Sequence, residues 1–356
     1  KGLVTPWEEP LDVYYMYRAN YVPAAKDPMV YLVSHTWANR FEKGRRRATI
    51  EAYSNCDSVL LYNDLTNEKA TFLGRKKNNG TGTHFMWENR DIRYNVLRAV
   101  GYYKGKPVAE DLILLNGLEQ APNFELLYQD DKKILKGEAG YNYLYRLNCG
   151  GDDYTDSFGQ LWLQDNTNYS RSWAENFKDL NPYLASQRTT NDPIRGTRDW
   201  TLFQHFRFGR HQLEYRFPVA DGTYRIELYF TEPWHGTGGS ASTDCEGLRI
   251  FDVAVNDSVV LDDLDIWAES GHDGVCRKIV YATVKGGILK IHSPEVKAGQ
   301  ALISGIAIAS TDQELKPTVF PASGWSWEKA DKEVMEKTPK ELLPEDKNAR
   351  VSISCL

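Results

Sequence analysis

Apolar and polar residues alternate with a period of two over two long stretches of the chain, and this pattern predicts β-strands. In the first stretch the runs at 29–33, 48–53, 58–62, 95–102 and 107–114 read as strands. Turn signals at Asn55-Cys-Asp57, Asn78-Asn-Gly-Thr-Gly82 and Lys104-Gly-Lys-Pro107 separate them. In the second stretch the same period marks 212–217, 223–230, 249–255, 278–284 and 288–292. Asp221-Gly222 and Asn256-Asp257 predict hairpin turns there. The expected fold class is all-β. Two sandwiches follow one another, the first immunoglobulin-like and the second jelly-roll-like or immunoglobulin-like, with a partly helical C-terminal extension.

The boundaries read as follows. Residues 1–21 look like the remnant of an upstream segment, with a short helical run over 11–20 after Pro10. Residues 22–116 hold the first sandwich, 117–140 a polar linker, and 141–311 the second sandwich. Residues 312–356 form a charged extension or a linker, in which 326–337 predicts one helix and Val351 starts a strand. No internal repeat relates the two sandwiches.

A length of 356 residues accommodates two or three domains, and 41% apolar with 26% charged residues is globular composition. The net charge of −6 argues against nucleic acid, because no basic field exists to displace counterions. The densest basic run, Arg45-Arg-Arg47, is too short to reverse that and reads as a solvated loop. No stretch of 18 apolar residues predicts a membrane span. Lys1-Gly-Leu is not a native start, so the chain is expected to begin inside a longer polypeptide. Five cysteines at 56, 149, 245, 276 and 355 show no zinc spacing. Cys56 and Cys149 read as small buried hydrophobes, whereas Cys245 and Cys276 fall in polar loops where an oxidising compartment would let them pair.

The 10 Trp and 21 Tyr change the picture most. Aromatic faces stack on the C–H faces of sugar rings, although β-rich cores also consume aromatics. Tyr145-Arg-Leu-Asn-Cys-Gly-Gly151 is followed in order by Tyr229-Phe-Thr-Glu-Pro-Trp-His-Gly236, Ile250-Phe-Asp-Val-Ala-Val-Asn256, Leu261-Asp-Asp-Leu-Asp-Ile-Trp267 and Ile303-Ser-Gly-Ile-Ala-Ile308. This series resembles the malectin family of carbohydrate-binding domains over about 165 residues.

A second resemblance lies upstream. Tyr53-Ser-Asn-Cys-Asp-Ser-Val-Leu-Leu-Tyr62, Phe85-Met-Trp87 and Leu97-Arg-Ala-Val-Gly-Tyr-Tyr-Lys-Gly-Lys-Pro-Val108 are similar to the immunoglobulin-like domain behind the catalytic barrel of family 2 glycoside hydrolases of the β-galactosidase type. Gly2-Leu-Val and Pro10-Leu-Asp-Val-Tyr-Tyr15 resemble the end of such a barrel.

The malectin resemblance implies a glycan lying across loop aromatics with a carboxylate fixing its hydroxyls. Trp234 and His235 occupy the positions of the family's aromatic pair after Phe230-Thr-Glu232, and Phe208 that of a further tyrosine. The family's aspartate near the last strand has no clear counterpart, Glu295 being a substitute at best. The carbohydrate-binding residues expected are Trp234, His235, Phe208, Glu232, Tyr154 and Trp162. Each has a bland alternative, such as the core for Phe208 and a surface histidine for His235. Trp267 reads as core.

Asp262, Asp263 and Asp265 invite calcium, but they lack EF-hand spacing and acids after such a hairpin commonly cap turns. Asp152 and Asp153 read likewise. No metal site and no cofactor is expected. Glycosidases need two carboxylates, one with a raised pKa; only Glu232 sits in a suggestive setting, and a partner such as Asp263 cannot be placed. No catalytic residue is expected, because the resemblance puts the hydrolase's paired glutamates in a barrel outside these residues.

The expected function is therefore the non-catalytic, carbohydrate-binding accessory region of a β-galactosidase-like hydrolase. Its partners would be an oligo- or polysaccharide, galactose-containing by the resemblance, and the upstream barrel. The expected location is secreted, periplasmic or cell-surface. Two alternatives stand beside it: sandwiches that only buttress the barrel or an oligomer contact, and a self-standing β-sandwich glycosidase.

Overall fold

The alternating runs become two stacks of mostly antiparallel sheets in the computed structural model, which describes residues 2–5, 8–40, 47–165, 186–210, 213–236 and 244–317. The helix expected at 326–337 and the strand at Val351 lie outside the described residues, as does most of Arg45-Arg-Arg47. A short helix α1 (Asp12–Tyr21) precedes the first stack. That stack is built from β1 (Val30–Val33), β2 (Arg47–Ser54), β3 (Ser58–Tyr62), β4 (Phe72–Lys77), β5 (Phe85–Asp91), β6 (Val96–Tyr103) and β7 (Lys106–Leu114). One sheet runs β1-β2-β5 and the other β4-β3-β6-β7.

Their facing residues, among them Leu32, Ile50, Leu61, Trp87, Leu97 and Ile113, close one apolar core. Gly101 on β6 is glycine for a packing reason: a Cβ there would lie 2.6 Å from Cys56 Sγ.

The second stack contains β8 (Asn142–Cys149), β9 (Tyr154–Thr155), β10 (Leu161–Asp165), β11 (Ser186–Thr189), α2 (Trp200–Gln204), β12 (His205–Gly209), β13 (Glu214–Pro218), β14 (Gly222–Phe230), β15 (Ile250–Val255) and β16 (Ser258–Leu264). It ends with α3 (Ile266–Ser270), β17 (Cys276–Val284), β18 (Ile288–His292), β19 (Val296–Ala298), β20 (Ala301–Ile303) and β21 (Gly305–Ser310). Its six-stranded sheet runs β17-β14-β21-β8-β10-β9, with β8 and β10 pairing in parallel, and β13-β18-β15-β16 faces it with β19 on β15. A third sheet, β11-β12-β20, closes one end. The protein is all-β with three short helices among the described residues.

β14 shows how the period of two is used on both faces. Tyr224, Ile226, Leu228 and Phe230 enter the main core. The intervening Arg225, Glu227 and Tyr229 are also buried. Tyr229 joins a second apolar layer with Trp162, Trp200, Phe124 and Leu135. Phe124 and Leu135 come from the stretch 117–140, so that polar connection carries two apolar anchors that cover the outer face of the sheet. Arg225 and Tyr143 satisfy the Glu227 carboxylate at 2.7 Å each.

One expectation needs correction, and one open alternative is decided. Asp221-Gly222 does not close a hairpin: β13 pairs with β18 and β14 with β17, so this turn carries the chain from one sheet to the other. Asp221 Oδ1 instead accepts from the amides of Gly286 and Gly287, capping a different turn. Cys245 and Cys276 are not a disulfide. Both are free and buried, and burial pushes each thiol up to about 11.

Candidate functional site

The loop after β14 carries the expected aromatic pair, and its geometry follows from one buried carboxylate. Glu232 is fully buried. Its Oε2 accepts from Arg249 Nε at 2.5 Å, and its Oε1 accepts from Arg249 Nη2 at 3.3 Å and from the amides of Trp234 and His235 at 3.0 and 3.1 Å. Burial works against its charge, but Arg249, helped by His235, holds the carboxyl down at about 2. Such a group folds the loop back on itself. It cannot donate a proton as a glycosidase acid must, because that role needs a raised pKa. Asp263, the partner left unplaced by the sequence, is exposed on β16 and paired with Lys297.

Trp234 is half-buried. Its ring meets Phe206 edge-on at 5.2 Å and Phe208 at 5.4 Å, and the Arg249 guanidinium lies 5.1 Å from its centroid. Trp234 and Phe208 are thus brought into one ring cluster, with Phe208 also half-buried. The N-terminal segment lies against this loop. Glu9, buried, approaches Arg249 to 3.7 Å and accepts from Gln300 Nε2 at 3.0 Å, and Tyr15 OH donates to the Trp234 carbonyl at 3.5 Å. Gly236 ends the loop with φ of +101°, where a Cβ would stand 3.0 Å from both His272 and Trp267.

The other named residues are placed elsewhere. His235 is 2% exposed and burial lowers its pKa, so it is a neutral interior histidine rather than a surface donor. Trp162 is fully buried, donates Nε1 to Asp156 Oδ2 at 2.9 Å and packs edge-on against Tyr229. It would have to leave the core to meet a sugar, so its burial answers for the tryptophan. Tyr154 sits opposite Trp162 in the β9–β10 pair, half-buried, with its hydroxyl on Asp199 at 2.7 Å. Trp267 is half-buried in α3, whose N-cap Asp265 accepts from Ala268 N. Glu295 is exposed. A cavity of about 190 Å³ opens away from the ring cluster, lined by Asn20, Asn55, Asn78 and Thr83 among others.

Sequence reasoning missed Arg249, Glu9 and Gln300, the residues that order the loop, because nothing near them in the chain marks their partners. It also missed a second buried cluster where the two stacks meet. His35, just after β1, places Nδ1 2.7 Å from Asp192 Oδ2 and Nε2 2.9 Å from Asp111 Oδ2. Burial opposes charge on this ring, but the two carboxylates outweigh it and raise its pKa well above the ordinary value, so both nitrogens donate. Beside it, His272 Nε2 lies 2.9 Å from Asp273 Oδ2, while its Nδ1 lies 3.1 Å from the Glu232 carbonyl. Burial lifts Asp273 to about 6 against the pull of His272.

Comparison with known proteins adds two domain matches. Residues 143–314 match the Malectin domain, and residues 45–109 match a domain family described as Domain of unknown function (DUF4982). A Danio rerio protein named Malectin is 26% identical over 166 residues, which is 45% of this chain and 52% of that protein. “Putative beta-glucuronidase” of Formosa agariphila is 31% identical over 121 residues, covering 33% of this chain and 14% of that protein. The crystal structure of Bacteroides uniformis β-glucuronidase aligns with 90% of this chain and 33% of its own, at 25% identity and a TM-score of 0.37. The chain therefore spans about half the length of that malectin and a smaller share of the glucuronidases. Residues 143–314 constitute a malectin-like domain.

Proposed function

We propose that the chain is a non-catalytic, carbohydrate-binding accessory region of a glycoside hydrolase, with the glycan held by the malectin-like domain. The match of residues 143–314 to the Malectin domain carries this reading. The partial likeness to a protein named as a β-glucuronidase supports the hydrolase setting. In this reading residues 22–116 are the immunoglobulin-like sandwich behind a catalytic barrel, 141–311 the binding sandwich, and the protein acts outside the cytoplasm. Trp234 and Phe208 form the stacking platform, while Glu232 and Arg249 hold that platform in place without touching sugar. Tethering of this kind raises local substrate concentration without new chemistry.

Calorimetric titration with β-galactosides, β-glucuronides and gluco-oligosaccharides tests it. Saturable heat with one of these sets, lost in a folded Trp234→Ala variant, is the expected result. Silence across all three sets would sink it.

The position of Glu9 favours a second reading, in which the sandwiches only buttress a larger enzyme. A glutamate from the N-terminal segment fills the space beside Arg249 that a ligand carboxylate or hydroxyl would otherwise take. If this is its role, Glu9→Ala destabilises the protein by about 1–3 kcal/mol in urea unfolding, the cost of leaving a buried partner unmet, and creates no sugar affinity.

A further inference from the structure

The cluster at the junction of the stacks has donors left over. Asp192, His272 and Asp273 each offer one ligand atom within 4.8 Å of the others. Asp192 and Asp273 are 4% and 6% exposed, yet Asp192 Oδ1 and Asp273 Oδ1 meet no hydrogen-bond partner among the described residues. Buried carboxylate oxygens are costly to leave unmet, and a cation is one of the few groups that satisfies two of them at once.

The surroundings are those of a ligand set. Both Asp192 and His272 are oriented through their other atoms. His35 donates to Asp192 Oδ2, and His35 is itself anchored to Asp111 on the first stack. The Glu232 carbonyl can only accept, so His272 Nδ1 carries its proton and Nε2 is the atom that can exchange a proton for a metal. A carbonyl or carboxylate fixing the far side of a ligand in this way is the usual outer shell of a metal-binding histidine.

The two loops are also held rigidly together. Arg195 N donates to the Asp273 carbonyl at 2.8 Å and Val275 N to the Arg195 carbonyl at 3.1 Å. Arg195 Nη2 donates to the carbonyls of Ser270 and His272 at 2.9 and 2.8 Å. Gly274 is required at this crossing, since a Cβ there would fall 2.1 Å from the Ser270 carbonyl oxygen.

We propose that Asp192, His272 and Asp273 bind a divalent cation of the Zn²⁺ type, with His35 and the Glu232 carbonyl as outer-shell partners. One imidazole nitrogen and two carboxylate oxygens suit a borderline first-row ion, whereas calcium requires six to eight oxygens. The ion joins the loop after β11 to the loop before β17. Through His35 and Asp111 it also stiffens the contact with the first stack. A second acidic group, Asp252, Asp262 and Asp263, is largely exposed, and Lys297 already pairs with Asp263; it carries no such assignment.

The test uses the full chain stripped with a chelator and titrated with Zn²⁺, with Mn²⁺ and Ca²⁺ run beside it. One Zn²⁺ per chain should bind, raising the thermal midpoint, with Ca²⁺ far weaker. Asp192→Asn and Asp273→Asn keep the side-chain shape and should each weaken Zn²⁺ by about 100-fold, and His35→Gln by about 10-fold, the range expected for ligand-shell changes. Circular dichroism of the metal-free variants establishes that they fold. Substitution with Co²⁺ adds a ligand-field spectrum that reports nitrogen–oxygen coordination and should vanish in His272→Ala. Absence of saturable Zn²⁺ binding, or unchanged Zn²⁺ affinity in folded Asp192→Asn and Asp273→Asn, would overturn the assignment.

Discussion

Glu232 stands between two buried charge clusters that share its residue and differ in how completely they are satisfied. Its carboxylate belongs to the first, where Arg249 and two loop amides fill the oxygens and Glu9 approaches the far side of the guanidinium. Its carbonyl belongs to the second, where His272 is oriented but Asp192 and Asp273 each keep an oxygen with no partner among the described residues. A cluster whose charges are all matched by the chain's own groups supports a loop. A cluster that leaves matched geometry but unmatched oxygens is prepared for something the chain does not supply.

The largest test of that contrast is Arg249→Ala. Breaking a buried ion pair leaves a desolvated charge and costs about 3–5 kcal/mol. Urea unfolding should show a loss of that order; a loss under 1 kcal/mol would mean the cluster is not the keystone of the loop.

Glu232→Gln comes next and carries a pH signature. A carboxyl held at about 2, against 4.5 for an ordinary glutamate, contributes about 3 kcal/mol to the folded state at neutral pH. Because the folded value is the depressed one, that contribution is complete above the ordinary value and is lost as pH falls towards 2. The stability gap between wild type and Glu232→Gln should therefore be widest at pH 6–7 and close as pH drops from about 4.5 to about 2. A gap independent of pH would show that the glutamine disturbs something other than charge.

The smallest effect belongs to the second cluster. In metal-free protein, Asp273→Asn should move the unfolding free energy by less than about 1 kcal/mol, because it relieves an unmet buried oxygen while losing the His272 contact. A large loss would place Asp273 with the satisfied cluster instead.

The strands were legible because apolar residues recur with a period of two, and β14, β17 and β18 fall on the runs that the alternation marks. The Asp221-Gly222 turn was misread because a turn signal fixes a reversal of the chain and not the sheet in which the next strand pairs. β14 also hid its second role: Arg225 and Glu227 look like solvent-facing positions, yet both are buried, with Arg225 and Tyr143 donating to the Glu227 carboxylate. At the loop, the resemblance pointed to Trp234 and Phe208, which do lie together. The same resemblance makes Glu232 a ligand residue, while its counter-ion lies 17 positions away. The junction cluster left no trace in the sequence. His35, Asp111, Asp192 and His272 are far apart along the chain, and only the packing of the two stacks gives them a common location.

The contacts of Glu9 with Gln300 and of Tyr15 with Trp234 span 291 and 219 positions. Glu9 thus meets Gln300 only between β19 and β20, while Tyr15, stacked on Tyr31 of β1 at 4.1 Å, also reaches the loop after β14. Closing so long a loop carries an entropic cost that these two contacts repay only once β14, β15 and β20 are assembled. The helix α1 can therefore settle on β1 and β2 before these two contacts form. Until they form, Arg249 lacks Glu9 and the Trp234 loop lacks its tie to α1. The order of assembly therefore leaves a window in which protease cleavage near residues 9–15, or capture of the loop by another chain, competes with the final closure.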